Sequence, residues 1–364
     1  MIVNRAYKFR IYPNAEQEIH LAKTFGSVRF IYNRMLADKI AHYKQTNEKL
    51  NNTPAQYKQE FEWLKEVDSL ALANAQLNLQ TAYNNFFRDK KVGFPKFKSK
   101  KNSKLSYTTN NQKGTVVLVG KNVKLPKIGL IKCVQHRIIP EYQKIKSATV
   151  TKNPSGKYYV SILVEYEFEP PNKQLDKSKA LGLDYASNGF YVDNQNKIAN
   201  YPRYYRKALD KLGKAQRKLA NMKYRSNNYY KQKIKVARLH ESISNQRKDW
   251  MHNESTNLAN LYDYICVEDI NMRTMSRCLN LGKSTLDNGF GMFRSFLEYK
   301  LVERGKMLIK IDKWFPSSKL CRHCGTINTK LELSDRVWEC ECGEIINRDE
   351  NAAINILRQG LSMV

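Results

Sequence analysis

The chain has 364 residues, 41% of them hydrophobic, enough for two or three ordinary cores without disulfide staples. Its 63 Lys and Arg outweigh 34 Asp and Glu, leaving a formal charge of +29 that makes nucleic acid the default partner; a membrane surface competes as a polyanion, but no amphipathic anchor or lipidation motif supports it. Most of its seven cysteines fall in one cluster, the segment Met1 to Arg10 has no continuous apolar core, and the longest apolar stretch, near Tyr158 to Tyr166, is too short for a bilayer, so the expectation is a protein of a reducing compartment.

Residues 2–12 read as a strand, with Tyr7, Phe9 and Ile11 on one face, Lys8 and Arg10 on the other, and Pro13 ending it. Asn14 to Gln17 has the form of a capping box, and apolar spacing through Ile19, Leu21, Phe25, Val28, Ile31, Met35 and Ile40 predicts two helices around Gly26. More helix is expected over 53–66 and 67–87, making an all-helical insert of roughly ninety residues. Arg88 to Lys104 then carries eight basic residues against a single acid, with Phe94 and Phe97 among them. That texture suits a phosphate backbone with stackable bases, and it suits a solvated linker equally.

Short β-branched runs follow at 115–119, 123–125, 130–134, 147–152 and 157–168, the last two joined by a hairpin turn at Asn153 to Gly156. They argue a small barrel that the first strand completes, with 169–172 as the linker out. Ala180 to Asp193 is a strand that delivers Asp184, turns at Asn188 and Gly189, and returns. Two long helices are expected over 204–219 and 228–262, and residues 201–250 hold fifteen Lys or Arg against three acids, a face able to follow a duplex groove or an RNA stem. Glu268 lies near the end of a strand at 264–270; a Gly- and Asn-containing stretch at 271–291, a helix at 292–304 and a strand at 307–311 come next.

Cys321, Cys324, Cys340 and Cys342 form a CxxC and a CxC knuckle with fifteen residues between them, a spacing that closes a tetrahedral zinc site. The alternative is four unrelated free thiols; His323 could serve as a substitute ligand, but four cysteines already fill the shell, while Cys133, Cys266 and Cys278 have no pairing pattern. Asp349 then opens an Ala-, Ile- and Asn-rich helix, where an Asp alone is an ordinary N-cap.

Asp184, Glu268 and Asp349 fall 84 and 81 residues apart in the order strand, strand, helix, an arrangement that can converge at one edge of a mixed sheet. Singly, Asp184 also reads as a turn residue and Glu268 as a strand-edge acid paired with a Lys. Together they would repel one another unless a cation neutralised them, and an all-oxygen ligand set favours Mg²⁺ or Mn²⁺. Two ions about 4 Å apart would activate a water and stabilise the leaving oxygen of a phosphodiester, with Asp184 bridging, Glu268 holding one ion and Asp349 the other.

At these residues the chain resembles the TnpB (OrfB) family of transposon-encoded RNA-guided DNA endonucleases, related to type V CRISPR effectors. The resemblance runs nearly end to end, through Tyr7 to Pro13, Gly93 to Phe97, Gly182 to Asp184, Val267 to Asp269, Phe315 to Cys321 and Arg348 to Ala353. It implies an α/β multidomain protein: an N-terminal wedge β-barrel (1–13 and 103–172), a helical recognition insert (14–102), a RuvC nuclease of RNase H-like fold (173–315 with the final helix 347–364) and an inserted zinc ribbon (316–346). Asp184, Glu268 and Asp349 match the family's catalytic acids, and the four clustered cysteines match its zinc ligands. The implied cofactors are two Mg²⁺ (or Mn²⁺) and one structural Zn²⁺. The implied partners are a guide RNA and a double-stranded DNA target beside a short motif, with a monomeric protein, no membrane and no small-molecule cofactor. Lys96, Lys98, Lys100, Lys101, Tyr107, Arg206, Lys207, Arg217 and Lys218 are the expected nucleic-acid contacts.

Two departures stand out. Asn347 takes the place of a usual second Asp, and Ser69, Leu70 and Ala73 are small or apolar where relatives face the adjacent motif, leaving a loop at Ser106 to Asn111 as the other region for that role. A nuclease-inactive RNA-guided repressor, an effector guided by a CRISPR array and a DNA transposase are the rival readings; intact acids weigh against the first.

Overall fold

The computed structural model describes residues 1–364 except 90, 102, 103, 188, 273–286, 288 and 333. The expected turn at Asn188, Cys278 and most of the 271–291 stretch therefore lie outside the described residues. The chain divides into two compact units, Met1–Phe168 and Glu169–Val364.

In the first unit, β1 (Ile2–Tyr12) occupies the middle of a seven-stranded antiparallel sheet. Tyr7, Phe9 and Ile11 are all buried, as their period of two requires. The strands run in the order β2 (Leu105–Asn110), β6 (Lys144–Lys152), β7 (Tyr158–Glu167), β1, β5 (Gly129–Val134), β4 (Asn122–Leu125) and β3 (Val117–Val119). Among the described residues β2 and β3 do not pair, so hydrogen bonding forms an open sheet rather than the closed barrel expected. The stretch expected as a loop, Ser106 to Asn111, is largely the edge strand β2, because Tyr107 and Thr109 alternate inward and Tyr107 packs on Phe25.

Helix α1 (Ala15–Thr46) starts at the capping box of Asn14 and Gln17 and runs unbroken through Gly26, where two helices were expected. A glycine inside a helix costs about 1 kcal/mol. Burial of Phe25, Val28, Ile31, Tyr32, Met35 and Leu36 along one stripe outweighs that cost several times over. A short helix α2 (Tyr57–Glu60) leads to α3 (Ser69–Arg88), which is capped by Asp68 and packs against α1.

The second unit is built on a four-stranded mixed sheet in the order β11 (Met307–Ile311), β10 (Tyr264–Glu268), β8 (Ala180–Ala186) and β9 (Phe190–Asp193), of which the first three are parallel and β9 is antiparallel. Parallel strands are covered on both faces, and here alternate residues separate the two layers. Leu181, Leu183, Ile265 and Val267 share a core with Met251 and Leu258 of α5 (Asn227–Leu261) and with Phe293, Leu297 and Leu301 of α6 (Phe290–Val302). Cys266, Ile309 and Ile311 instead meet Ile356 of α7 (Arg348–Leu361). Helix α4 (Tyr204–Ala220) pairs with α5. The strands β12 (Val337–Glu339) and β13 (Ile345–Asn347) form a hairpin in the cysteine segment.

Candidate functional site

The period of two decides where the acids go. Asp184 shares the face of Gly182 on β8, and Glu268 shares the face of Cys266 on the neighbouring strand; Gly182 and Cys266 are register partners. Both acids stand at the C-terminal ends of parallel strands, on the side covered by α7, whose first turn carries Asp349. The three line one groove of about 1020 Å³, together with Lys313, Trp314, Ser317, Lys319, Arg336 and Arg348.

Helix α7 is capped by Asn347, whose side chain accepts from the amides of Asp349 and Glu350. Asp349 is therefore not the N-cap, and its carboxylate is left to face the groove, where Arg336 Nη1 stands 3.3 Å from each of its oxygens. Glu268 accepts a hydrogen bond from the hydroxyl of Ser317.

Burial, and then the charges of Glu268 and Asp349, push the Asp184 carboxyl well above the usual carboxylate range, against the pull of Arg348 and the Tyr185 amide. Glu268 is raised by burial and partly relieved by Ser317. Two buried acids that resist ionisation, with the Asp349 carboxylate lining the same groove, form an all-oxygen donor set suited to a hard divalent cation. They are more widely spread than the thiols: among the described residues, only the cysteine set has all its ligand atoms within 4.8 Å of one another.

That set is Cys321, Cys324, Cys340 and Cys342. The Cys321 to Cys342 and Cys324 to Cys340 sulfur separations are 3.8 Å and 3.5 Å. Zn–S bonds of about 2.3 Å in a tetrahedron give S–S edges of about 3.8 Å, so the four sulfurs fit a zinc ion without His323. Around them Leu331, Trp338 and Ile346 form a small core.

Of the expected nucleic-acid contacts, Lys96, Lys100 and Lys101 are exposed in the first unit, and Arg206, Lys207, Arg217 and Lys218 are exposed along α4 in the second. Lys98 is half-buried with Nζ 3.9 Å from the centre of the Tyr32 ring. Tyr107 is a correction. It is 3% exposed, and its hydroxyl has no hydrogen-bond partner among the described residues. It lies under a cleft of about 710 Å³ lined also by Arg29, Asn74, Lys96 and Lys98. Sequence reasoning missed Ser317, Arg336 and Arg348 as site residues; Ser317 was within reach, because it sits in the Phe315 to Cys321 motif.

Comparison with known proteins gives three family-model matches. Residues 162–279 match a model described as "Probable transposase" (OrfB of IS605 elements), 290–356 one described as "Cas12f1-like, TNB domain", and 1–49 one described as "Helix-turn-helix domain". The last segment is folded as β1 followed by the single helix α1. A protein of Streptomyces pristinaespiralis named "Putative RNA-guided DNA endonuclease" is 34% identical, the match covering 99% of this chain and 90% of that one. InsQ of Escherichia coli, named in the same terms, is 29% identical over 98% of this chain and 92% of its own. The "CRISPR-associated endodeoxyribonuclease Cas12f1" of Sulfoacidibacillus thermotolerans is 27% identical over 63% of this chain and 56% of its own. A solved Cas12f1-sgRNA-target DNA complex contains a chain that shares the fold, with a TM-score of 0.60 at 12% identity, covering 98% of this chain and 99% of that one. Among the described residues no helix is long and apolar enough to cross a membrane.

Proposed function

The chain belongs to the TnpB (OrfB) family, and from that premise we propose that it is an RNA-guided DNA endonuclease, cutting duplex DNA selected by pairing with a bound guide RNA. The observation that carries this reading is the convergence of Asp184, Glu268 and Asp349 on one groove whose other charged residues, Lys313, Lys319, Arg336 and Arg348, are all cationic. In it Asp184, Glu268 and Asp349 would hold Mg²⁺ or Mn²⁺, in a two-ion arrangement. The bound ions would supply an activated water and charge stabilisation at the leaving oxygen.

The protein's own groups do the rest. Lys313, Lys319 and Arg348 line the groove and attract a phosphodiester backbone, and the exposed indole of Trp314 offers a face to a base. The exposed basic face of α4 serves the RNA. The cleft between α1, α3 and β2 is lined by Ser106 to Thr108, from one of the stretches singled out for the motif beside the target, and by Ala71 and Asn74 of the helix that carries the other, and we assign it to contacts with that flanking DNA. The domain reading follows: a wedge (1–13 and 103–172), a recognition insert (14–102), a RuvC nuclease (173–315 and 347–364) and a zinc ribbon (316–346) holding one Zn²⁺. The working form is a monomer with its RNA, acting on genomic DNA in a bacterial or archaeal cytoplasm.

The test is to purify the chain with its co-purifying RNA, sequence that RNA, and offer a matching duplex. The expected result is cleavage by the wild type and guide-directed binding without cleavage by Asp184→Ala. Equal cutting by the variant, or full activity in an RNA-free preparation, defeats the proposal. Joined rather than cut products would instead favour a strand transferase.

A further inference from the structure

Ser317 belongs to a turn that is held from two sides. Its hydroxyl donates to Oε1 of Glu268. Its carbonyl accepts from Asn355 Nδ2 at 2.9 Å and from Asn351 Nδ2 at 3.4 Å. The same two amides donate to the Leu320 carbonyl at 2.6 Å and 2.7 Å. Asn351 Oδ1 in turn accepts from the Arg322 amide at 3.0 Å, inside the first cysteine knuckle. Asn351 and Asn355 are 0% and 2% exposed, which is unusual for amide side chains and is explained by this clamp.

These bonds join three parts of the site. Asn351 lies two residues beyond Asp349 on α7, Leu320 precedes the zinc ligand Cys321, and Ser317 touches Glu268 on β10. Ser317 itself is 5% exposed, so water does not compete freely for its hydroxyl. A serine hydroxyl has one proton to give. Giving it to Oε1 restrains the rotation of the carboxylate of Glu268, a residue that lines the groove.

We propose that Ser317 is the positioning residue for Glu268, and that α7 and the first cysteine knuckle hold it in place, so that the geometry of the metal-binding acid is set from the zinc ribbon. This rests on the nuclease reading above. Partners that orient a metal ligand through a hydrogen bond are worth about tenfold to a hundredfold in metal affinity or activity.

The experiment uses the purified protein with its guide RNA, without target DNA, and follows free Mn²⁺ by electron paramagnetic resonance during a titration. Zinc content, thermal melting and guide binding are measured on the same samples. Ser317→Ala is expected to weaken Mn²⁺ binding at the acid site at least about tenfold, while zinc content and guide binding stay at wild-type values; in a separate assay with target duplex, its cleavage falls most at low Mn²⁺ and recovers as Mn²⁺ rises. Ser317→Thr keeps the hydroxyl and restores Mn²⁺ affinity. Wild-type affinity in Ser317→Ala, in a wild type that binds Mn²⁺ and loses it in Asp184→Ala, overturns this inference alone. A properly folded Ser317→Thr that behaves like Ser317→Ala also overturns it, since packing rather than the hydroxyl would then matter. A wild type that binds no Mn²⁺ at these acids overturns the nuclease reading and this inference with it.

Discussion

Gly182 lies so close to Ala353 that a methyl group on its α-carbon would stand 2.1 Å from the Ala353 carbonyl oxygen and 2.8 Å from Leu357 Cβ. At the other end of α7, a methyl on Gly360 would stand 2.3 Å from Cys266 Sγ. The helix is thus seated on the two strands that present Asp184 and Glu268 at places where only hydrogen fits. The obstacle at Gly182 is backbone, which cannot rotate aside. Gly182→Ala must therefore push α7 off β8, two residues before Asp184, at a cost of about 1 to 3 kcal/mol for overpacking. The expected outcome is a lower melting temperature, with cleavage reduced at least about tenfold because Asp349 moves with the helix. Unchanged melting and unchanged cleavage would show that α7 can shift without disturbing the acids.

The four cysteine sulfurs predict about one zinc per chain by elemental analysis. The ion's removal has an effect beyond the ribbon, because Cys321 follows the turn clamped by Asn351 and Asn355. Cys324→Ser or a strong chelator is expected to release the zinc, loosen β12 and β13, and abolish cleavage while guide RNA remains bound. A zinc-free sample that still cuts at the wild-type rate would count against the ribbon as a brace for the site.

Much of the site was legible because its acids sit at positions where chain order and strand parity leave little choice. Asp184 and Glu268 each close an apolar strand, and Asp349 opens an amphipathic helix after paired cysteines. Other features depend on partners that no local pattern reveals. Gly26 reads as a break, yet the buried stripe around it keeps α1 whole. Tyr107 among basic residues reads as a nucleic-acid contact, whereas its alternation with Thr109 points it inward. Nothing in the local sequence says where Asn351 and Asn355 point, but their i, i+4 spacing puts both amides on the Ser317 and Leu320 carbonyls. Asn347, noted as a departure from the family pattern, is the cap that frees Asp349 for the groove.

The exposed cations of α4 carry a salt-dependence prediction. Replacing Arg206, Lys207, Arg217 and Lys218 together by Ala removes up to four phosphate contacts from a surface that holds no buried charge. Each contact with single-stranded RNA contributes about 0.7 to the slope of log affinity against log salt, and each with a duplex about 0.9. The quadruple variant should bind guide RNA more weakly, with a slope shallower by about 2 to 4 and unchanged melting of the free protein. Binding measured from low to high salt checks this; an unchanged slope would place the RNA elsewhere.

Asp263 gives the fold an acid-sensitive anchor away from the groove. Its side chain is 2% exposed, between Lys173 Nζ at 2.7 Å and Lys306 Nζ at 3.3 Å, and it accepts from the Asp176 amide. Burial alone would raise its carboxyl, but the bonds from Lys173, the Asp176 amide and Lys306 outweigh that and hold it below the ordinary carboxylate value. An acid lowered in the folded state contributes stability that is complete above its unfolded value, near 3.9, and is lost as pH falls through the folded one. Asp263→Asn removes the charge that two lysines share and should cost about 3 kcal/mol at neutral pH, the range for breaking a buried pair. The deficit should hold from pH 7 down to about 5 and shrink below about 4, as the wild-type carboxyl itself takes up a proton. Thermal melting of both proteins across that range decides the matter: a deficit that grows as the pH falls would mean that Asp263 is held above its ordinary value, opposite to what its lysine partners imply.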